Sequence, residues 1–107
     1  MTNSDHAVVI TTTDSEAKAR VLAGAVVNAK LAACAQVYAI SSIYRWEGKV
    51  EQDQEWRIDF KTRGGLVDRL STFIAEHHDY DEPEIISLPV TGGSPGYLAW
   101  VTAETRS

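Results

Sequence analysis

One cysteine stands among the 107 residues, so no internal disulfide framework exists, and Cys34 taken by itself reads as a small buried hydrophobe. No apolar run approaches the ~20 residues needed to span a bilayer. The opening segment MTNSDHAVVI lacks a basic stretch followed by a long apolar one, so no secretory signal is expected and the protein is placed in the cytoplasm. Positive charge is scarce: 10 Lys and Arg face 15 Asp and Glu, a net charge of −5. That balance disfavours nucleic acid or an anionic membrane as the main partner. There is no H-E-x-x-H, G-x-S-x-G, C-x-x-C or Walker loop, so no enzymatic reaction is assigned.

What is present is ordinary for a globular protein: 44% hydrophobic and 23% charged residues, in a length that suits one domain over residues 1–107. A core this small gains stability from association.

The pattern runs strand, helix, strand, strand, helix, strand, then a short tail. HAVVITTT (His6–Thr13) is β-branched and predicts a strand. Thr13 stands three residues before Glu16, the spacing of a capping box, which predicts a helix from about Asp14. Ala17, Val21, Ala25 and Val26 form its expected buried face. Gly24 weakens that helix by roughly 1 kcal/mol relative to Ala, a cost that a close approach to the sheet would explain. A second helix follows Gly64-Gly65, with Leu66, Leu70, Phe73, Ile74 and His77 on one side. EIISLPV (Glu84–Val90) reads as a strand, and GGSPGYLAWV as a loop ending in a short helix.

Trp46-Glu47-Gly48-Lys49 reads as a two-residue hairpin turn in which Gly48 takes positive φ. With Trp46 opposite Lys49 and no bulge, Ala39 faces Trp56, Val37 faces Ile58 and Ala35 faces Phe60, small against large on one face. On the other face Tyr38 meets Arg57, Gln36 meets Asp59 and Cys34 meets Lys61. A slip of one residue would destroy both sets. Each arm of about 14 residues reaches roughly 45 Å, whereas a globule of this length is only about 35 Å across. The outer part, with Ile43, Tyr44 and Trp46, therefore overhangs its own domain and needs a partner, which makes the protein an obligate oligomer. Two strand–helix–strand units fused through this hairpin give the split βαβ, ferredoxin-like arrangement, with both helices on one side of an antiparallel sheet.

LAAC (Leu31–Cys34), SIYRWEGK (Ser42–Lys49), Glu55-Trp56, Lys61-Thr62, His78-x-Tyr80, PEIISLPV (Pro83–Val90) and YLAWV (Tyr97–Val101) occur in this order across nearly the whole chain. Together they resemble the CutA family of divalent-cation tolerance proteins. The resemblance implies an α+β, ferredoxin-like protomer in a tight homotrimer, its hairpins reaching across to neighbours. It also implies a role in tolerance of copper and other divalent cations, no established enzymatic reaction, and an architecture similar to the trimeric PII signalling proteins. The chain departs from the pattern at His78-Asp79-Tyr80-Asp81, where the family commonly has H-P-Y-E. It departs again at Arg57 and Asp59, on a face that relatives keep apolar and bury in the trimer.

The metal-ligand candidates are His78, Cys34 and Asp81. Neighbours on a helix point roughly 100° apart, so His77 and His78 do not chelate one ion from a regular helix. His77 continues the stripe of Leu70, Phe73 and Ile74 and reads as packed or capping. His78 holds the family's motif position; an imidazole with a thiolate or carboxylate suits copper or zinc, and Cys34 contributes only where the fold brings it near. The expected function is a non-enzymatic homotrimer that binds copper(II) or another divalent cation and contributes to cation tolerance. Glu51, Asp53 and Glu55 alternate along a strand and offer oxygen donors to a harder cation, though a solvated acidic face is the commoner meaning of such a run. Two other readings stay open. One is a PII-like module binding a small anion or nucleotide through Lys61, Arg63 and the Gly64-Gly65 turn. The other is a scaffold for protein partners.

Overall fold

A computed structural model describes residues 5–106. Strand β1 (His6–Thr13) leads to helix α1 (Glu16–Asn28), and β2 (Cys34–Trp46) and β3 (Lys49–Arg63) form the hairpin. One 3-10 turn at Gly64–Leu66 opens α2 (Val67–His77), and β4 (Ile86–Pro89) and α3 (Pro95–Glu104) follow. The result is an α+β chain with one antiparallel sheet in the order β2-β3-β1-β4. Val9, Ile58 and Phe60 of the sheet share one core cluster with Leu22 and Val26 of α1 and Leu70 and Ile74 of α2, so both helices cover the same face. Each large apolar side chain buried there contributes about 1.5–3 kcal/mol.

The hairpin register is the expected one at every rung, from Cys34↔Lys61 to Trp46↔Lys49, without a bulge. Glu47 and Gly48 have φ of 49° and 78°, the left-handed pair of a type I′ turn, whose twist matches that of the strands. On the face away from α1 and α2, the charged pair that departs from the family pattern is partnered within the chain. Arg57 Nε donates to Asp59 Oδ1 at 2.9 Å and Tyr38 OH to Asp59 Oδ2 at 3.0 Å. The Asp59 hydrogen bond pushes the Arg57 guanidinium further up, and burial, then Asp59, raises the Tyr38 phenol. Gln36 lies opposite Asp59, and its side chain accepts from Lys61 Nζ at 2.6 Å, a diagonal contact two rungs along.

Helix α1 differs from expectation in three ways. Its N-cap is Ser15, in extended backbone, whose Oγ accepts from the Lys18 N–H at 3.1 Å. Thr13 is still paired with Trp56 as the last rung of β1, so its backbone is not free to cap; its hydroxyl donates to Ser15 O at 2.8 Å instead. The buried face is Ala19, Leu22, Ala23 and Val26, while Val21 is 74% exposed. Small side chains at 19 and 23 let the helix lie close to the sheet, and Ala17, Val21 and Ala25 line an open groove against His77 and Asp79. Gly24 is exposed and a Cβ there would meet nothing within 4 Å, so no close approach explains it.

Strand β4 is shorter than Glu84–Val90, because β1 offers it rungs only from Ala7↔Pro89 to Ile10↔Ile86. It is an open edge with Ile86 and Leu88 exposed. Helix α3 starts with Pro95 in its first turn, where the missing N–H costs nothing. It seats Val101 at one end of the second sheet face through His6 Nε2···Thr102 Oγ1 at 2.8 Å and Arg63 Nε to Thr105 Oγ1 at 2.8 Å.

Candidate functional site

The segment His78–Ile85 leaves α2 and crosses the end of β1 towards β4. His78 is the C-cap of α2, with φ −86° and ψ 146°, so the chain turns extended there. Its imidazole is only 1% exposed. Nε2 lies 2.7 Å from Thr12 O, and Nδ1 lies 3.0 Å from the Tyr80 N–H. A carbonyl only accepts and an amide N–H only donates, so Nε2 carries the proton and Nδ1 gives its lone pair to Tyr80. Both ring nitrogens are therefore engaged. The Tyr80 ring packs on the imidazole at 4.6 Å, and its OH donates to Glu55 Oε2 at 3.3 Å. Burial first, then the Glu55 charge, raises the Tyr80 phenol well above its ordinary value.

A second tie holds the same segment to α1. Lys18 Nζ bridges Asp79 Oδ2 at 2.5 Å and Asp14 Oδ1 at 3.0 Å. The shared hydrogen bond raises the Lys18 ammonium and lowers the Asp79 carboxyl. His77 stays exposed, stacks on Phe73 at 4.0 Å and places Nδ1 2.8 Å from Phe73 O, as a capping histidine would.

Beyond Tyr80, exposed Asp81, Glu82 and Glu84 border an open cleft whose other wall is Tyr44 and Trp46 of the hairpin. Tyr44 OH donates to Asp53, and that bond, ahead of desolvation, pushes the phenol up to about 12.

Over residues 7–104 the sequence matches the family model described as CutA1 divalent ion tolerance protein. The chain belongs to the CutA1 family. It is 43% identical over 101 residues to "Protein CutA, chloroplastic" of Arabidopsis thaliana, covering 94% of this chain and 56% of that protein. It is 42% identical over 101 residues to the "Divalent-cation tolerance protein CutA" of Yersinia pestis (strain Pestoides F), covering 94% of this chain and 85% of the relative. This chain thus spans about half the length of the plant relative. Among solved structures, CutA1 from Oryza sativa superposes with a TM-score of 0.92 at 40% identity, covering 99% of this chain and 98% of the other. The divalent cation tolerance protein of Thermus thermophilus gives a TM-score of 0.90 at 38% identity, over 94% and 99% of the two chains.

Within a single chain His78, Cys34 and Asp81 do not come together as one cluster. Cys34 pairs with Lys61, which lies opposite Val8, whereas His78 is bound at Thr12. Four residues along the sheet and two strands across amount to roughly 13 Å and 10 Å. Among the described residues no three His, Cys, Asp or Glu side chains gather closely enough to hold an ion. Glu51, Asp53 and Glu55 alternate along one strand, roughly 6.8 Å apart, too far for all three to converge on one cation. The anion-binding set fares no better. Arg63 is spent on Thr105, Lys61 on Gln36, and the Gly64 N–H on Asp5 O at 2.8 Å. Reasoning from sequence missed Thr12 and Lys18, for which only the i to i+4 spacing of Asp14 and Lys18 carried a hint; Tyr80 stood in the His78-x-Tyr80 motif.

Proposed function

We propose that this chain works in divalent-cation tolerance as a non-enzymatic homotrimer, and that copper(II) or another divalent cation binds where copies meet. The observation that carries the reading is the overhanging ribbon between Ile40 and Glu55. It is two strands wide, because β1 reaches only to Thr13↔Trp56. Two strands alone are marginal in water, yet Ile43, Trp46 and Val50 are 69%, 57% and 60% exposed. Neighbouring copies supply the missing cover, and head-to-tail docking of ribbon onto an open β4 edge closes into a ring. The divalent-cation tolerance relatives support the functional half of the reading.

Donors contributed by different copies answer the separation of Cys34 and Asp81 within one. Cys34 is half-buried on the edge strand β2 and Asp81 is exposed in its loop, so both remain open to a second chain. Thiolate with carboxylate suits copper or zinc. Equilibrium dialysis with copper(II) and zinc(II), beside sedimentation analysis, tests both halves. A trimer is expected, with affinity falling at least about tenfold in Cys34→Ser and in Asp81→Asn. A well-folded monomer at micromolar concentration rejects the assembly, and unchanged affinity in both variants rejects the donors.

A further inference from the structure

We infer that His78 is a positioning residue, a clasp that fixes the segment carrying Asp81, and not a metal ligand. The inference deepens the cation-tolerance reading in one of its readouts and stands on geometry in the other. An imidazole 1% exposed has no lone pair to offer while Nδ1 accepts from Tyr80 and Nε2–H donates to Thr12 O. The clasp spans 66 residues of sequence, from the last paired turn of β1 to the segment after α2. Its reach continues through Tyr80, whose ring lies on the imidazole and whose OH meets Glu55 at the start of the overhanging ribbon. One side chain thus sets the distance between the acidic segment and the ribbon, the two walls of the cleft. The bond to the Tyr80 N–H closes an i to i+2 turn of the kind that asparagine makes with its amide oxygen. No proline stands at position 79 to stiffen that turn, so the histidine's own bond does so.

Asparagine separates the two bonds of the clasp. It keeps the i+2 acceptor but lacks the Nε2–H that reaches Thr12 O. In His78→Ala the amides of Asp79 to Ile85 should exchange at least about tenfold faster, and copper(II) affinity should fall by about tenfold or more. His78→Asn should return the Tyr80 amide towards wild type, to within about threefold, while the tie to Thr12 O stays lost. In the wild-type protein, long-range proton–nitrogen NMR should report the Nε2–H tautomer with and without added zinc(II). Unchanged exchange in His78→Ala overturns the clasp. A zinc-induced shift of His78 Nδ1 makes the imidazole a ligand, and that measurement needs no variant to fold. Absence of any cation binding by the wild type removes the cation-tolerance reading, and the exchange rates still decide the clasp.

Discussion

Strands β2 and β3 pair residue for residue from Cys34↔Lys61 out to Trp46↔Lys49, but only the rungs inside Trp56 have β1 beside them and helices above. Inside, Ile58 and Phe60 are fully buried; outside, Ile43 and Trp46 are 69% and 57% exposed. The β2–β3 ladder is the same in both halves, so that pairing does not distinguish them. Their apolar side chains do: the inner half has its partner in the same chain, and among the described residues the outer half has none. Register is a local property of the hairpin, and burial is a property of what the rest of the fold, or another copy, lays against it.

The comparison breaks most visibly at Phe60. Phe60→Ala should cost about 3–5 kcal/mol by leaving a cavity in the shared core, read as a lowered urea midpoint with an unchanged slope. Trp46→Ala should leave the fold of each chain intact and weaken association instead, by about 2 kcal/mol or more if the ring is a central anchor. Sedimentation across a dilution series checks it; a variant that assembles like wild type would mean that the outer half docks on nothing. At the turn, Gly48→Ala places a side chain at φ 78° and should cost about 1 kcal/mol of ribbon stability, visible as faster amide exchange near the tip.

The smallest effect is a titration. Tyr44 should ionise near 12 rather than near its ordinary 10.0, because Asp53 accepts from its OH. A raised folded-state value means that this tie is fully present below pH 10.0 and is lost as pH rises towards about 12. Asp53→Asn should bring the ultraviolet titration of Tyr44 back down, whereas an unmoved titration would deny the contact.

Legibility followed the range of the interaction. The hairpin could be read from residues alone because period-two alternation leaves one register in which Ala39, Val37 and Ala35 face Trp56, Ile58 and Phe60. The cap of α1 was misassigned by two residues, since Thr13 and Ser15 both carry a hydroxyl and only the pairing of Thr13 with Trp56 decides between them. The face of α1 was misread because hydrophobicity favoured Val21, whereas close packing on the sheet selected Ala19 and Ala23. Size, and not apolarity, settles such a choice where a helix lies close on strands.

By itself the sequence determined the order of elements, the hairpin register and turn, and the overhang, since each rests on neighbours in the chain or on facing strands joined by a two-residue turn. Only the tertiary structure decided where His78 is held. Its two partners are Thr12, 66 residues away, and a backbone amide, and no pattern of side chains encodes a bond to main-chain atoms. The same holds for Cys34 and Asp81: Cys34 opens β2, whereas Asp81 borders the cleft at Tyr44 and Trp46 near that strand's other end. Distance between donors is a sum over the whole path of the chain, and spacing along the sequence does not carry it.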